Sequence, residues 1–171
     1  MREDARDQLF AAWLNRFWAL VKRIAQAYAA KPEDQDDLAQ EILLQLWLST
    51  SRFQGNAREI TWVYRVSLNT ALVWRRGQLR RRKRFRIALV DPARLRARDC
   101  PVPQDNAVRQ LYCAIRQLPP ADSSVILMHL DGLSYDQMAE VLGITSNSVG
   151  VRIHRAKKTL AELLKGVGDD I

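Results

Sequence analysis

Residues 132 to 164 read GLSYDQMAEVLGITSNSVGVRIHRAKKTLAELL, and no other stretch constrains the fold as strongly. Ser134 stands where a helix starts, with Gln137 three residues on to complete a capping box. That helix runs through Tyr135, Met138, Ala139 and Leu142, and Gly143 ends it as a residue that accepts positive φ. Ile144 and Thr145 carry a turn, and Ser146 or Asn147 is expected to cap the next helix. A short helix, a tight Gly-containing turn and a longer helix make a helix-turn-helix signature. Ala139 and Gly143 are small where two helices would cross. Val149, Ile153, Ala156, Leu160 and Leu163 keep a helical period and form a stripe to bury. The opposite face carries Arg152, His154, Arg155, Lys157 and Lys158, which suits an acidic major groove. An ordinary helical hairpin with a solvated basic face has the same pattern, so the rest of the chain must decide.

Charge supplies the next constraint. The chain of 171 residues holds 27 Lys and Arg against 19 Asp and Glu. Residues 74 to 86, WRRGQLRRRKRFR, contain eight of the basic residues and no acid; without them the balance is 19 to 19. The whole net charge of +8 therefore sits in one stretch, as a polyanion-binding patch requires and uniform solubilising charge does not. Cys100 and Cys113 are the only cysteines, with no metal-ligand spacing, so reduced thiols and no metal are expected. No segment reads as a signal peptide or approaches a membrane span.

Taken in order, the chain reads as helices throughout. Residues 4 to 29 place Leu9, Phe10, Trp13, Leu14, Phe17, Leu20, Val21, Ile24 and Tyr28 at steps of three and four. Lys31-Pro32 interrupts this helix. Glu33, Asp34, Asp36 and Asp37 then suit the positive end of a second helix reaching about Ser49. Asp37, Gln40, Glu41 and Gln45 form an outward polar stripe on it. Residues 50 to 58 read as a loop, and Asn56 with Glu59 resembles a capping box for a third helix that runs into the arginine cluster. Phe53, Trp62, Tyr64 and Trp74 interleave with Arg52, Arg58, Arg65, Arg75 and Arg76, a pattern that suits unstacked bases beside phosphates, although core packing explains Trp62 and Trp74 equally well. Residues 85 to 105, with Pro92, Pro101 and Pro103, read as a linker, with a short helix near 92 to 98. Helices are expected again at 106 to 118 and, capped by Asp122 or Ser123, ahead of the helix-turn-helix. The expected fold is all-α: two small helical domains, 1–86 and 105–171, joined by a flexible linker at 87–104.

With both halves in view the chain resembles the extracytoplasmic-function (ECF) group of sigma-70-type sigma factors. Asp37-Leu38-Ala39-Gln40-Glu41, followed by Leu43, Leu46 and Trp47, looks like the core-binding helix of region 2. Phe53-Gln54-Gly55, Thr61 to Val66 and Asn69 look like its melting and −10-reading segment. Leu118-Pro119-Pro120, Gly132-Leu133-Ser134-Tyr135, Ala139 to Gly143 and His154-Arg155-Ala156 look like region 4. The resemblance implies a non-enzymatic initiation factor without cofactor or metal. Its implied partners are the RNA polymerase core (the largest-subunit coiled coil and the flap), double- and single-stranded promoter DNA and an anti-sigma factor. It implies a bacterial cytoplasmic location, with the nucleoid when active. By the same resemblance, Asp37, Gln40 and Glu41 meet the polymerase. Phe53, Gly55, Asn56, Arg58, Trp62, Arg65, Asn69, Arg75, Arg76 and Arg80 meet −10 DNA, with Arg81 to Arg84 extending the phosphate contacts. Val151, His154 and Arg155 face −35 bases, and Ser148 and Arg152 face −35 phosphates. The chain departs from the family pattern at Gly150, where Lys or Arg is usual, and at Val151, where Ser is usual.

A conventional repressor or activator would explain the helix-turn-helix but not the acidic-polar stripe and the separate arginine-aromatic unit. A recombinase or transposase would need a nucleophile or carboxylate cluster; the only dense acids sit at a helix start, where capping explains them. The proline-spaced window of 85–105 yields a direct expectation. Limited proteolysis of the free protein should cut there and leave two stable fragments, and cleavage mainly inside either half would contradict the two-domain reading.

Overall fold

The computed structural model describes residues 3–86 and 107–168, and among these every regular element is helical. The N-terminal half comprises α1 (Glu3–Tyr28), α2 (Pro32–Ser49), a 3₁₀ turn (Thr50–Arg52) and α3 (Glu59–Arg86). The C-terminal half comprises α4 (Ala107–Gln117), α5 (Pro120–Leu130), α6 (Tyr135–Leu142) and α7 (Ser146–Gly168). The linker expected at 87–104 and its short helix lie outside the described residues.

In the N-terminal half the apolar period of α1 does what it predicts. Trp13, Phe17, Leu20, Val21, Ile24 and Tyr28 are buried against Leu38, Ile42 and Leu46 of α2 and Val63, Tyr64, Leu68 and Ala71 of α3. Leu14 and Trp18 remain exposed. Pro32 occupies the first turn of α2, where its missing N–H costs nothing, and Glu33 and Asp34 complement the helix dipole. The loop before α3 is pinned at both ends by aromatic edges. Phe53 stands 5.2 Å from Trp13 and 5.6 Å from Trp62, both edge-on, and Trp62 Nε1 donates to Ser49 Oγ at 3.2 Å. Asn56 does not cap α3, as the sequence suggested. Its amide donates to Gln54 Oε1, and the first helical carbonyl is that of Arg58, which accepts from Trp62 N. Gly55 turns the chain at φ +75°, and α3 then starts at Glu59, two residues later than a cap at Asn56 would place it.

In the C-terminal half, α5 starts at Pro120 with Pro119 as its cap, so Asp122 and Ser123 lie inside the first turn instead of capping it. The rigid φ of proline sets the start, which frees both side chains for contacts between helices. Ser123 Oγ donates to the Ile115 carbonyl of α4 at 2.9 Å. The capping box of α6 is present in both directions: Gln137 N donates to Ser134 Oγ and Ser134 N to Gln137 Oε1. Gly143 ends the helix at φ +66°. It faces open space, so conformation and not close approach explains it. The cap of α7 is Thr145, whose Oγ1 accepts from Ser148 N; Ser146 and Asn147 are already helical.

Cys113, the one described cysteine, is disulfide-bonded, and its sulfur also receives Arg116 Nη2 at 3.0 Å. The expectation of reduced thiols is corrected there. It rested on cysteine number and compartment, whereas bridging depends on approach in the fold. Cys100 lies outside the described residues.

Substitution separates the two kinds of support. Ser134→Ala should cost about 1 kcal/mol of stability through the lost cap, and Trp13→Ala about 3–5 kcal/mol through the cavity it leaves. Denaturant midpoints measure both, and equal costs would contradict the burial pattern.

Candidate nucleic-acid interface

The helix-turn-helix is braced from three sides. Val149, Ile153, Ala156 and Leu160 of α7 are buried, as their spacing predicts, and Leu163 is partly so. Ser146 Oγ donates to Asp136 Oδ1, which ties the start of α7 to the start of α6. Arg155 reaches back to α5, its Nη2 2.8 Å from Asp122 Oδ1 and its Nε 3.1 Å from Oδ2. The Asp122 side chain is 3% exposed, so this carboxylate is fully committed. The bond and charge of Asp122 hold the Arg155 guanidinium above its ordinary value. Nothing in the local sequence reveals this pair, because its partners stand 33 residues apart. Outward, Asn147, Val151, His154 and Lys158 form an exposed line along α7, with Lys157 beside it. Ser148 and Arg152 are half-buried, and Ser148 Oγ lies 2.8 Å from Thr145 Oγ1.

A second exposed line runs down α3 through Asn69, Val73, Arg76 and Arg80. Their spacings of four, three and four keep them on one face. Gly55, Asn56 and Arg58 are also exposed at the loop ahead of the helix, while Phe53 and Trp62 are half-buried. On α2, Asp37 and Gln40 are exposed, and Glu41 is half-buried with Oε1 accepting from Gln45 Nε2 at 3.0 Å. Leu44, Trp47 and Leu48 continue this face, exposed at 49%, 37% and 46%. The polar stripe gives no sign of Leu44 and Leu48, although a helical wheel puts them in line with Asp37 and Glu41.

Comparison with known proteins shows the family. Residues 9–84 match the family model for sigma-70 region 2, and residues 108–160 match that for sigma-70 region 4. The ECF RNA polymerase sigma factor SigM of Mycobacterium tuberculosis H37Rv is 30% identical over 162 residues, covering 94% of this chain and 77% of its own. The chain belongs to the ECF RNA polymerase sigma factors. SigE of Mycolicibacterium smegmatis is 31% identical over 152 residues; the match covers 84% of this chain but only 57% of that longer relative. In fold, the chain is similar to the sigma factor RpoE of Bartonella quintana, solved with the anti-sigma factor NepR. The TM-score is 0.72, with 20% identity, over 91% of this chain and 96% of that one. It is also similar to CnrH, solved with the cytosolic domain of CnrY, with a TM-score of 0.67, 21% identity and coverage of 94% and 90%. The chain is thus a sigma factor of promoter-directed transcription initiation by RNA polymerase.

In this sigma factor the two halves pack against each other, and three residues singled out by sequence take part. The Tyr64 hydroxyl, at the buried centre of α3, donates to Asp131 Oδ2 in the turn before α6. Arg23 Nε of α1 lies 2.8 Å from Asp131 Oδ1. Burial pushes the Tyr64 hydroxyl well above its ordinary pKa, and Asp131 pushes it further, so it stays a donor. Arg65 donates to the Glu140 carbonyl of α6. Arg75 Nη2 donates to the Arg116 carbonyl at 3.3 Å, while its buried Nη1 has no hydrogen-bond partner among the described residues. Burial pulls the Arg75 guanidinium below its ordinary value. Arg116 Nη1 donates to the Gln26 carbonyl at 2.7 Å, and the Tyr28 hydroxyl lies 2.7 Å from Ser124 Oγ. Removing Asp131 strands a buried hydroxyl, so Asp131→Ala should cost about 1–3 kcal/mol. Tyr64→Phe combined with Asp131→Ala should cost less than the two singles together. Strictly additive denaturation free energies would contradict the contact.

Proposed function

We propose that this sigma factor works as two DNA-reading units, residues 1–86 and 105–171, joined at 87–104, with α2 as its landing face for the polymerase core. One observation carries the proposal: α2 leaves Leu44 and Leu48 exposed in line with Asp37, Gln40 and Glu41, and Trp47 beside them is partly exposed, with Arg6 of α1 over its ring and Asp7 at its Nε1. Large apolar side chains exposed in a row gain nothing from water, and a face of that kind marks a protein contact. A mixed acidic and apolar strip fits a helical partner such as the coiled coil of the largest polymerase subunit, with the flap left for the C-terminal unit.

The two exposed lines then divide the promoter. Asn69, Arg76 and Arg80 on α3, with Gly55, Asn56 and Arg58 in the loop before it, face the −10 element. Phe53 and Trp62 shape that loop from below, since the core holds them by their edges. Ser148, Val151, Arg152, His154 and Arg155 belong to the −35 element, with α7 in the major groove. The chain acts by binding and distorting DNA, and no step in this account is covalent.

Such a division requires the halves to part. The −10 and −35 elements lie about 25 base pairs apart, roughly 85 Å at 3.4 Å per step. A compact chain of this length is only about 40 Å across. Arg65 and Arg75 face the C-terminal half in the packed form, and separation returns them to the −10 side. The unpartnered Nη1 of Arg75 makes that release favourable locally. Both solved neighbours were captured with another protein, an anti-sigma factor in the case of RpoE, which supports an anti-sigma partner that holds the packed form here. Among the described residues no helix is long and apolar enough to cross a membrane. We place the protein in the bacterial cytoplasm, at the nucleoid when active.

Charge reversal tests the landing face. Glu41→Lys should weaken binding to core polymerase at least tenfold, about 1.4 kcal/mol, with helicity unchanged. Unchanged affinity in a titration would remove the assignment.

A further inference from the structure

We infer that Val151 reads the C5-methyl group of a thymine in the −35 element, a role that rests on the −35 reading above. Val151 is the sixth residue of α7 and 60% exposed. It stands in the outward line between Asn147 and His154, on a helix whose other exposed groups are mostly polar or basic. The first turns of a recognition helix are the part that meets base edges. A valine there has no donor or acceptor to offer. In the major groove the only apolar feature on any base is the thymine methyl. Against guanine, cytosine or adenine the same side chain would strip water from polar atoms and return nothing. A β-branched side chain in a helix also has essentially one χ1 rotamer, so little freedom is lost on contact.

The neighbours of Val151 prepare this contact. Gly150 carries no side chain, and it sits against the Tyr135 ring: a Cβ there would make ordinary van der Waals contact with it, 3.4 Å from Cε2 and 3.8 Å from Cδ2. The Tyr135 ring, from the first residue of α6, supports the helix where a long side chain would otherwise stand off from the groove. Arg155, one turn further on, has one edge of its guanidinium committed to Asp122. That edge is unavailable for a base, and the pair fixes the tilt of α7 relative to α5. Val151 thus projects past a flat, ring-backed surface on a helix held in place from behind.

Holoenzyme assembled from the full chain and core polymerase provides the test. Selection from a library randomised at −35 gives the preferred sequence, and each thymine in it is then replaced singly by deoxyuridine, which removes only the methyl. At one or two positions the replacement should weaken binding roughly three- to fivefold, the worth of one buried methyl group. Val151→Ser should bring that ratio to about one, and Val151→Ile should preserve it. A ratio that survives in Val151→Ser, or a site with no methyl-sensitive thymine, would overturn the inference while leaving the −35 role standing. A library that returns no −35 preference would instead bring down the −35 reading itself, and this inference with it.

Discussion

The carboxylate of Asp131 is the point on which the arrangement of the two halves depends. It occupies the turn between α5 and α6, accepts from the Tyr64 hydroxyl of α3 on Oδ2, and is ion-paired with Arg23 of α1, whose Nε lies 2.8 Å from Oδ1. The carboxylate side chain is 14% exposed and the tyrosine is fully buried, so this contact acts in a largely dry setting where an unmet partner is expensive. Because α1 and α3 both contribute, the turn is fixed in angle as well as position. Tyr28 against Ser124 and Arg116 against Gln26 extend the same seam along the end of α1.

Against this stands Arg75. Its guanidinium is drawn into the seam, gains one carbonyl, and leaves Nη1 without a partner among the described residues. A charge in that position raises the energy of the packed form. The seam therefore combines a strong contact at Asp131 with a poorly satisfied one at Arg75. A balance of that kind suits an interface made to open when a better partner for its arginines, such as a phosphate backbone, is offered.

Much of the fold was legible because it is local. The capping box at Ser134 and Gln137, the left-handed Gly143 and the buried stripe of α7 each follow from residues within a turn or two of one another. The failures share a different cause. Asn56 and Ser146 looked like caps, but Gly55 moved one turn and Thr145 took the other role, because residue preferences at helix starts are nearly degenerate. Asp122 looked like a cap and serves as the buried partner of Arg155. Tyr64 and Arg75 read from sequence as part of a nucleic-acid surface, and in the packed form both meet the other half. Sequence periodicity cannot report pairings across tens of residues, and the candidate site depends on those for the poise of its arginines. Asp37, Gln40, Asn69, Arg76, Arg80, Val151 and His154 reach solvent, as side chains on outward helix faces do.

The central claim is that the packed and the promoter-bound forms differ by separation of the two halves. The most direct measurement is the distance between one probe on the exposed face of α2 and another on the outer face of α7. It would be read by energy transfer in the free protein, in holoenzyme and on promoter DNA. The account predicts a short distance in the free protein, consistent with a compact body about 40 Å across, and a distance of roughly 60 Å or more once the two elements are engaged. A distance that stays short on the promoter would contradict it.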